Sequence, residues 1–154
     1  MTTHHGILLH VVFSTKLRRP VLLDDWRDSL FAYIGGVVKD HKATLLKSGG
    51  LEDHIHLLLR IHPEFAISKT VQLLKTNSSK WINEEKKTKF RFEWQRGYGA
   101  FSVSESMAEK VRQYIANQRQ HHANRTFCDE YISILEKHGI EYDPKYVFET
   151  EIIG

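Results

Sequence analysis

The chain has 154 residues, 41% of them apolar and 27% charged, with one cysteine and a formal net charge of +3. That length supports one substantial core and crowds two. No run approaches the roughly 20 apolar residues of a membrane span, and the opening MTTHHGILLHVVF lacks the basic start and small-residue cleavage site of a secretory signal. Cys128 has no second thiol for a disulfide or a thiolate zinc site, so the expectation is a single domain over residues 1–154, working in the reducing cytoplasm and off the membrane.

ILLHVVFS, residues 7–14, is aliphatic, β-branched and short, and stops at a basic turn closed by Pro20, which predicts a first strand. Asp24 or Asp25 is placed to cap a helix whose Leu30, Phe31, Ile34, Val37 and Val38 recur at helical spacing. A second strand is expected near 42–48, a turn at Gly49-Gly50, and a third strand over 54–62. Beyond Pro63 a helix to about Asn83 carries Ile67, Val71, Leu74, Ser78 and Trp81 on one side. FEWQRGYGAFSV, residues 92–103, reads as a fourth strand with a bend or bulge at Gly97 and Gly99. Ser104 opens a helix through about His121, and FCDEYISILEKHG makes a last helix ended by Gly139.

The order β-α-β-β-α-β followed by helices predicts an α+β fold. It is a ferredoxin-like four-stranded antiparallel sheet with helices on one face, to which a tyrosine-bearing helix and a C-terminal helix are added. The core spans about 6–122, the C-terminal helix and acidic tail about 126–154. Seven acidic residues against two lysines give residues 127–154 a net of −5, which leaves +8 on residues 1–126. Basic clusters lie at 16–19, 80–96 and 117–125, the middle one interleaved with aromatics. This pattern suits phosphate contact and base stacking, and equally a set of charged surface helices.

The third strand contains His54-Ile55-His56. Strand alternation turns Ile55, Leu57 and Leu59 one way and His54, His56, Leu58 and Arg60 the other. Two imidazoles on one face lie about 7 Å apart at their Cβ atoms, within joint reach of one divalent ion. Taken alone, the motif is met more readily by two half-buried, hydrogen-bonded imidazoles. Tyr114 and Gln118 stand four apart, which on a helix aims a phenol and an amide in one direction. Joined to the His pair, they make a candidate metal site with a nucleophile beside it. His10 on strand one is open to a supporting role or to plain packing. His121 and His122 close the tyrosine helix, where phosphate contact and solvation both remain open.

HVVFSTKLRR (10–19), DHIHLLLRI (53–61), FEWQRGYGAFSVS (92–104) and YIANQRQHH (114–122) together resemble the single-tyrosine HUH transposases of bacterial insertion sequences, over roughly residues 6–148. The resemblance implies DNA transposition by metal-dependent cleavage and rejoining of single-stranded DNA through a 5′-phosphotyrosine, next to hairpins at the element ends. By the same likeness His54, His56 and Gln118 hold Mg²⁺ or Mn²⁺, Tyr114 is the nucleophile, and the enzyme is a homodimer whose tyrosine helix reaches the partner's histidines. Lys16, Arg18, Arg19, Arg60, Arg96, Arg112 and Arg119 are candidate DNA contacts; ion pairs with the protein's own carboxylates are the other reading of Arg60, Arg112 and Arg119. A relaxase or replication initiator would share the metal chemistry but is usually longer. A domesticated nuclease acting on repetitive palindromes would keep every residue named. A non-catalytic single-strand binding domain would have no need of Tyr114, His54, His56 and Gln118 together.

Overall fold

A computed structural model describes residues 1–148; the end of the acidic tail, with Glu149 and Glu151, lies outside the described residues. Four antiparallel strands form one sheet in the order β2-β3-β1-β4, with β1 at Ile7–Ser14, β2 at Thr44–Gly50, β3 at His54–Ile61 and β4 at Gly99–Val103. This is the ferredoxin-like α+β arrangement that the order of elements predicts. β1 and β3 pair along their whole length, Val12 opposite His56 and His10 opposite Leu58.

One sheet face carries Leu9, Val11, Phe13, Ile55, Leu57 and Leu59 against α1 (Asp24–Val37) and α2 (Ile67–Glu84). Each such buried aliphatic side chain contributes about 1.5–3 kcal/mol relative to exposure. The other face, which bears the histidines, is also covered. Ile115 of α3 (Ala108–Ala116) packs on Leu8 and Leu58, while Phe127, Ile134 and Leu135 of α5 (Phe127–Lys137) pack on Val12 and Phe101. A short α4 (Gln118–His121) joins the two.

Four local expectations are corrected. Leu23, not Asp24 or Asp25, is the N-cap of α1; both aspartates sit in its first turn, where carboxylates favour the positive helix end, and Asp24 bonds Arg27 at 2.5 Å. Gly49 and Gly50 are strand residues paired with His56 and Ile55, and glycine is needed there because a Cβ would lie 2.2 Å from the carbonyl oxygen of Ile115 at Gly49 and 2.3 Å from that of His54 at Gly50. The fourth strand starts only at Gly99. Residues 91–98 form a loop joined to the sheet edge by one bridge, Thr15 to Trp94, and held on α2 by Lys75, which donates to the carbonyls of Gln95 and Gly97 at 2.7 Å each. The tyrosine helix is broken at Asn117, with φ −104° and ψ 33°, so Tyr114 and Gln118 belong to α3 and α4 rather than to one continuous helix.

Candidate active site

His54 and His56 project from β3 toward α3–α5 and are completely buried. Their side of the strand is the one that alternation predicts. Each ring is fixed from behind. His54 Nδ1 lies 2.7 Å from Asp53 Oδ1, and His56 Nδ1 lies 2.8 Å from Nε2 of His10, whose ring stacks on it. Such partners set ring orientation and tautomer. His10 therefore supports His56, while the role of Asp53 was not apparent from sequence.

The outward nitrogens converge. Gln118 Oε1 stands 2.9 Å from His54 Nε2, and Glu130 Oε1 stands 3.0 Å from His56 Nε2 and 3.5 Å from His54 Nε2. Nε2 of His122 is 3.0 Å from the same Glu130 oxygen. Tyr114 donates its hydroxyl to the other oxygen of Glu130, and its ring stacks on His121 at 4.4 Å. Tyr114, His54, His56 and Gln118 thus meet within one chain.

Two further members, Glu130 and His122, complete the cluster. Glu130 has no motif around it, yet Phe127, Glu130 and Ile134 follow helical spacing and share the buried face of α5. An acid on an otherwise apolar stripe was the available signal. The capping box of Thr126 and Asp129 starts α5 and sets that stripe against the sheet.

Burial, followed by the neighbouring His56, pushes the pKa of His10 down to about 3, and burial lowers that of His56. Burial opposes the charge of Glu130, but the hydrogen bond from His56 and then that from Tyr114 hold its carboxyl below the ordinary glutamate range. Burial raises the Tyr114 phenol well above its usual value, and its bond to Glu130 adds to the effect. At neutral pH Glu130 is a carboxylate, His10 and His56 are neutral and the Tyr114 phenol keeps its proton.

The donor set fits a divalent ion. His54, His122 and Glu130 bring one ligand atom each within 4.8 Å of one another, and His122 Nε2 is buried with no hydrogen-bond partner. Imidazole nitrogen with carboxylate and amide oxygen is an ordinary set for Mn²⁺ or a similar ion.

The candidate DNA contacts divide. Lys16 pairs with Glu93 at 3.0 Å, Arg60 with Glu105 at 2.5 Å, and Arg119 with Glu52 at 3.1 Å and Asp24 at 3.4 Å. Arg112 donates to the carbonyl of Leu46 at 3.0 Å. For Arg60 and Arg119 the ion-pair reading holds. Arg18 and Arg19 lie over the rings of Phe148 and Phe90, and Arg96 lines a cavity of about 190 Å³ with Gln95, Tyr98, Phe127 and Tyr131. Among the described residues no helix is long and apolar enough to cross a membrane.

The family model described as "Transposase IS200 like" matches residues 3–118. The chain belongs to the IS200-like transposase family. It is 30% identical over 114 residues to the transposase of insertion sequence element IS200 from Salmonella typhimurium, covering 71% of this chain and 74% of that one. It is 25% identical to the ISDra2 transposase TnpA of Deinococcus radiodurans, covering 71% and 81%. A crystal structure of a Deinococcus radiodurans chain assigned as a transposase superposes with a TM-score of 0.62 at 26% identity, covering 77% of this chain and 95% of that one. A REP-associated tyrosine transposase bound to a REP hairpin gives 0.60 at 16% identity, covering 80% and 75%, a likeness of fold. His122 and Glu130 lie beyond the segment that the family model matches.

Proposed function

We propose that this transposase cleaves and rejoins single-stranded DNA, with Tyr114 as the nucleophile. The observation that carries the reading is the Tyr114 phenol lodged in a buried cluster of imidazoles and a carboxylate, in a chain of a transposase family. Tyr114 Oη attacks a backbone phosphorus, the bond from phosphorus to the 3′ oxygen breaks, and the products are a 5′-phosphotyrosine and a free 3′-hydroxyl. Phenolate leaves more readily than an alkoxide, so a DNA 3′-hydroxyl can later displace the tyrosine without ATP.

His54, His56 and Gln118 would hold Mg²⁺ or Mn²⁺, which supplies positive charge to the phosphodiester and the departing oxygen. His10 and Asp53 keep the rings aimed, and Glu130 holds the phenol in place. Because Tyr114 sits among packed helices, its target phosphate must be presented by an unpaired strand. The fold relative carried on a REP hairpin supports a hairpin beside the cut, and the aromatic-lined cavity at Arg96 offers stacking surface to a neighbouring base. Action on DNA would suit the expected cytoplasmic enzyme. Pairing of two chains, as the resemblance implies, would give two sites per dimer.

The test is a single-stranded oligonucleotide from the element's end, incubated with protein and Mn²⁺. A covalent adduct on the 5′ phosphate of the fragment downstream of the break is expected, absent with Tyr114→Phe although that variant still binds DNA. An undiminished adduct with Tyr114→Phe, or equal cleavage of perfect duplex, would sink the reading.

A further inference from the structure

His122 Nδ1 faces the carbonyl oxygen of Arg125 at 2.8 Å. A carbonyl only accepts, so Nδ1 carries the proton and Nε2 presents a lone pair. The same reasoning applies to His54, whose Nδ1 faces the Asp53 carboxylate. Both nitrogens lie close to Glu130 Oε1, 3.0 Å and 3.5 Å away, and Gln118 Oε1 lies 2.9 Å from His54 Nε2. Both oxygens of Glu130 already act as acceptors, Oε1 facing His56 Nε2 at 3.0 Å and Oε2 taking the Tyr114 hydroxyl. Acceptors therefore face acceptors inside a buried cluster.

His122 Nε2 is buried and has no hydrogen-bond partner, and His54, His122 and Glu130 bring one ligand atom each within 4.8 Å of one another. One divalent ion relieves every one of these contacts at once. Adjacent ligand atoms around an ion with bonds of about 2.1 Å are on the order of 3 Å apart, which is the spacing seen here.

We propose that Glu130 and His122 are direct ligands of the ion, and that Glu130 bridges ion and nucleophile, with Oε1 toward the metal and Oε2 on the Tyr114 phenol. This rests on the reading that the His54 site holds a divalent ion. It adds two ligands from outside the family-matched residues 3–118, so α5 becomes part of the active site. With imidazoles and one carboxylate the set favours Mn²⁺ over Mg²⁺, which prefers oxygen and retained water.

Mn²⁺ binding to the full chain, without DNA, is measured by calorimetry and by loss of the free-ion electron paramagnetic resonance signal. Glu130→Gln and His122→Ala should each weaken Mn²⁺ binding at least 10-fold, and Mg²⁺ should bind wild type more weakly than Mn²⁺. Wild-type affinity in either variant, or tighter binding because the carboxylate merely plugged the site, overturns the proposal. If His54→Ala loses the ion while Glu130→Gln keeps it, the proposal fails and the metal–tyrosine reading stands; if wild type binds no ion, both fail. Should Glu130→Gln not fold by circular dichroism, anomalous scattering from Mn²⁺ in wild-type crystals decides: an ion with a Glu130 oxygen in its shell supports the assignment, and one without it rejects it. Mn²⁺ should also perturb the near-ultraviolet tyrosine absorbance of wild type but not of Tyr114→Phe, and a spectrum indifferent to Tyr114 removes the bridge.

Discussion

Tyr114 donates its hydroxyl to Glu130, sixteen residues further along the chain and on a separate helix. The proposed nucleophile is thus positioned by an element that starts beyond the segment matched to the family. The seating of α5 on the sheet therefore controls where the phenol rests.

The start of α5 can be loosened without touching the site. Thr126 Oγ1 accepts from the Asp129 amide at 3.2 Å, and Asp129 Oδ2 accepts from the Thr126 amide at 3.4 Å. Thr126→Ala removes the first of these at a cost of about 1 kcal/mol. The expected drop in Tm is about 2–4 °C by calorimetry, with weaker DNA cleavage. Unchanged melting would show that the cap contributes nothing to α5.

Asp53 is the carboxylate behind His54, at 2.7 Å. Asp53→Asn keeps the size but loses the charge that selects the Nδ1-protonated tautomer. Metal affinity should fall about 10–100-fold in a titration with Mn²⁺, with the metal-free fold intact. Equal affinity would mean that the ring is held by packing against Phe127, 4.5 Å away, rather than by Asp53.

The sheet and half of the site were legible because period and spacing expose them. Alternation put His54 and His56 on one face, and pairing of β1 with β3 brought His10 beside them. The four-residue step from Tyr114 to Gln118 still aimed both side chains at the histidines although the helix breaks at Asn117. Glu130 was not legible as a site residue, since the contacts that justify a buried carboxylate come from β3 and α3, remote in sequence. The late start of β4 was equally hidden. Residues 92–98 have strand-like aromatics, but Trp94 is held by Ser78 and Gly97 takes φ 84°, both tertiary choices.

Gly49 sets the seat of the tyrosine helix. A Cβ there would lie 2.2 Å from the carbonyl oxygen of Ile115, the residue after Tyr114. Backbone cannot yield as a flexible side chain would, so Gly49→Ala must push α3 off β2. The expected cost is about 1–3 kcal/mol or more in urea unfolding, with loss of adduct formation beyond what instability explains. A variant with native stability and native cleavage would show that α3 shifts freely.

Acid should destabilise the metal-free protein before its carboxylates titrate. His10 has a folded pKa of about 3 against an ordinary 6.5, and His56 is lowered too. The unfolded chain therefore binds more protons, and stability is full above pH 6.5 and falls as pH drops below it. Between about pH 7.5 and 5 the His10 ring should cost about 2 kcal/mol, and His56 adds to the loss in the same direction. His10→Gln should lose the His10 share, about 2 kcal/mol, of this pH dependence when urea unfolding is compared at the two pH values. Parallel slopes for the two proteins would contradict the assignment to His10.

Subunit mixing tests where the site is assembled. Tyr114 and Gln118 reach the histidines of their own chain, and α3 is locked to its own β2 by the close approach of Ile115 to Gly49. The family resemblance implies the crossed arrangement instead, with each tyrosine helix serving the partner's histidines. Tyr114→Phe and His56→Ala subunits should each be inactive alone. With sites built within one chain, every site in a mixed dimer keeps one defect, so cleavage should stay at background after native mass spectrometry confirms exchange. With crossed sites, random pairing makes half of the dimers mixed, each with one intact site, and restores about a quarter of wild-type adduct. Such recovery would transfer α3 and α4 to the partner while leaving the chemistry of Tyr114 unchanged.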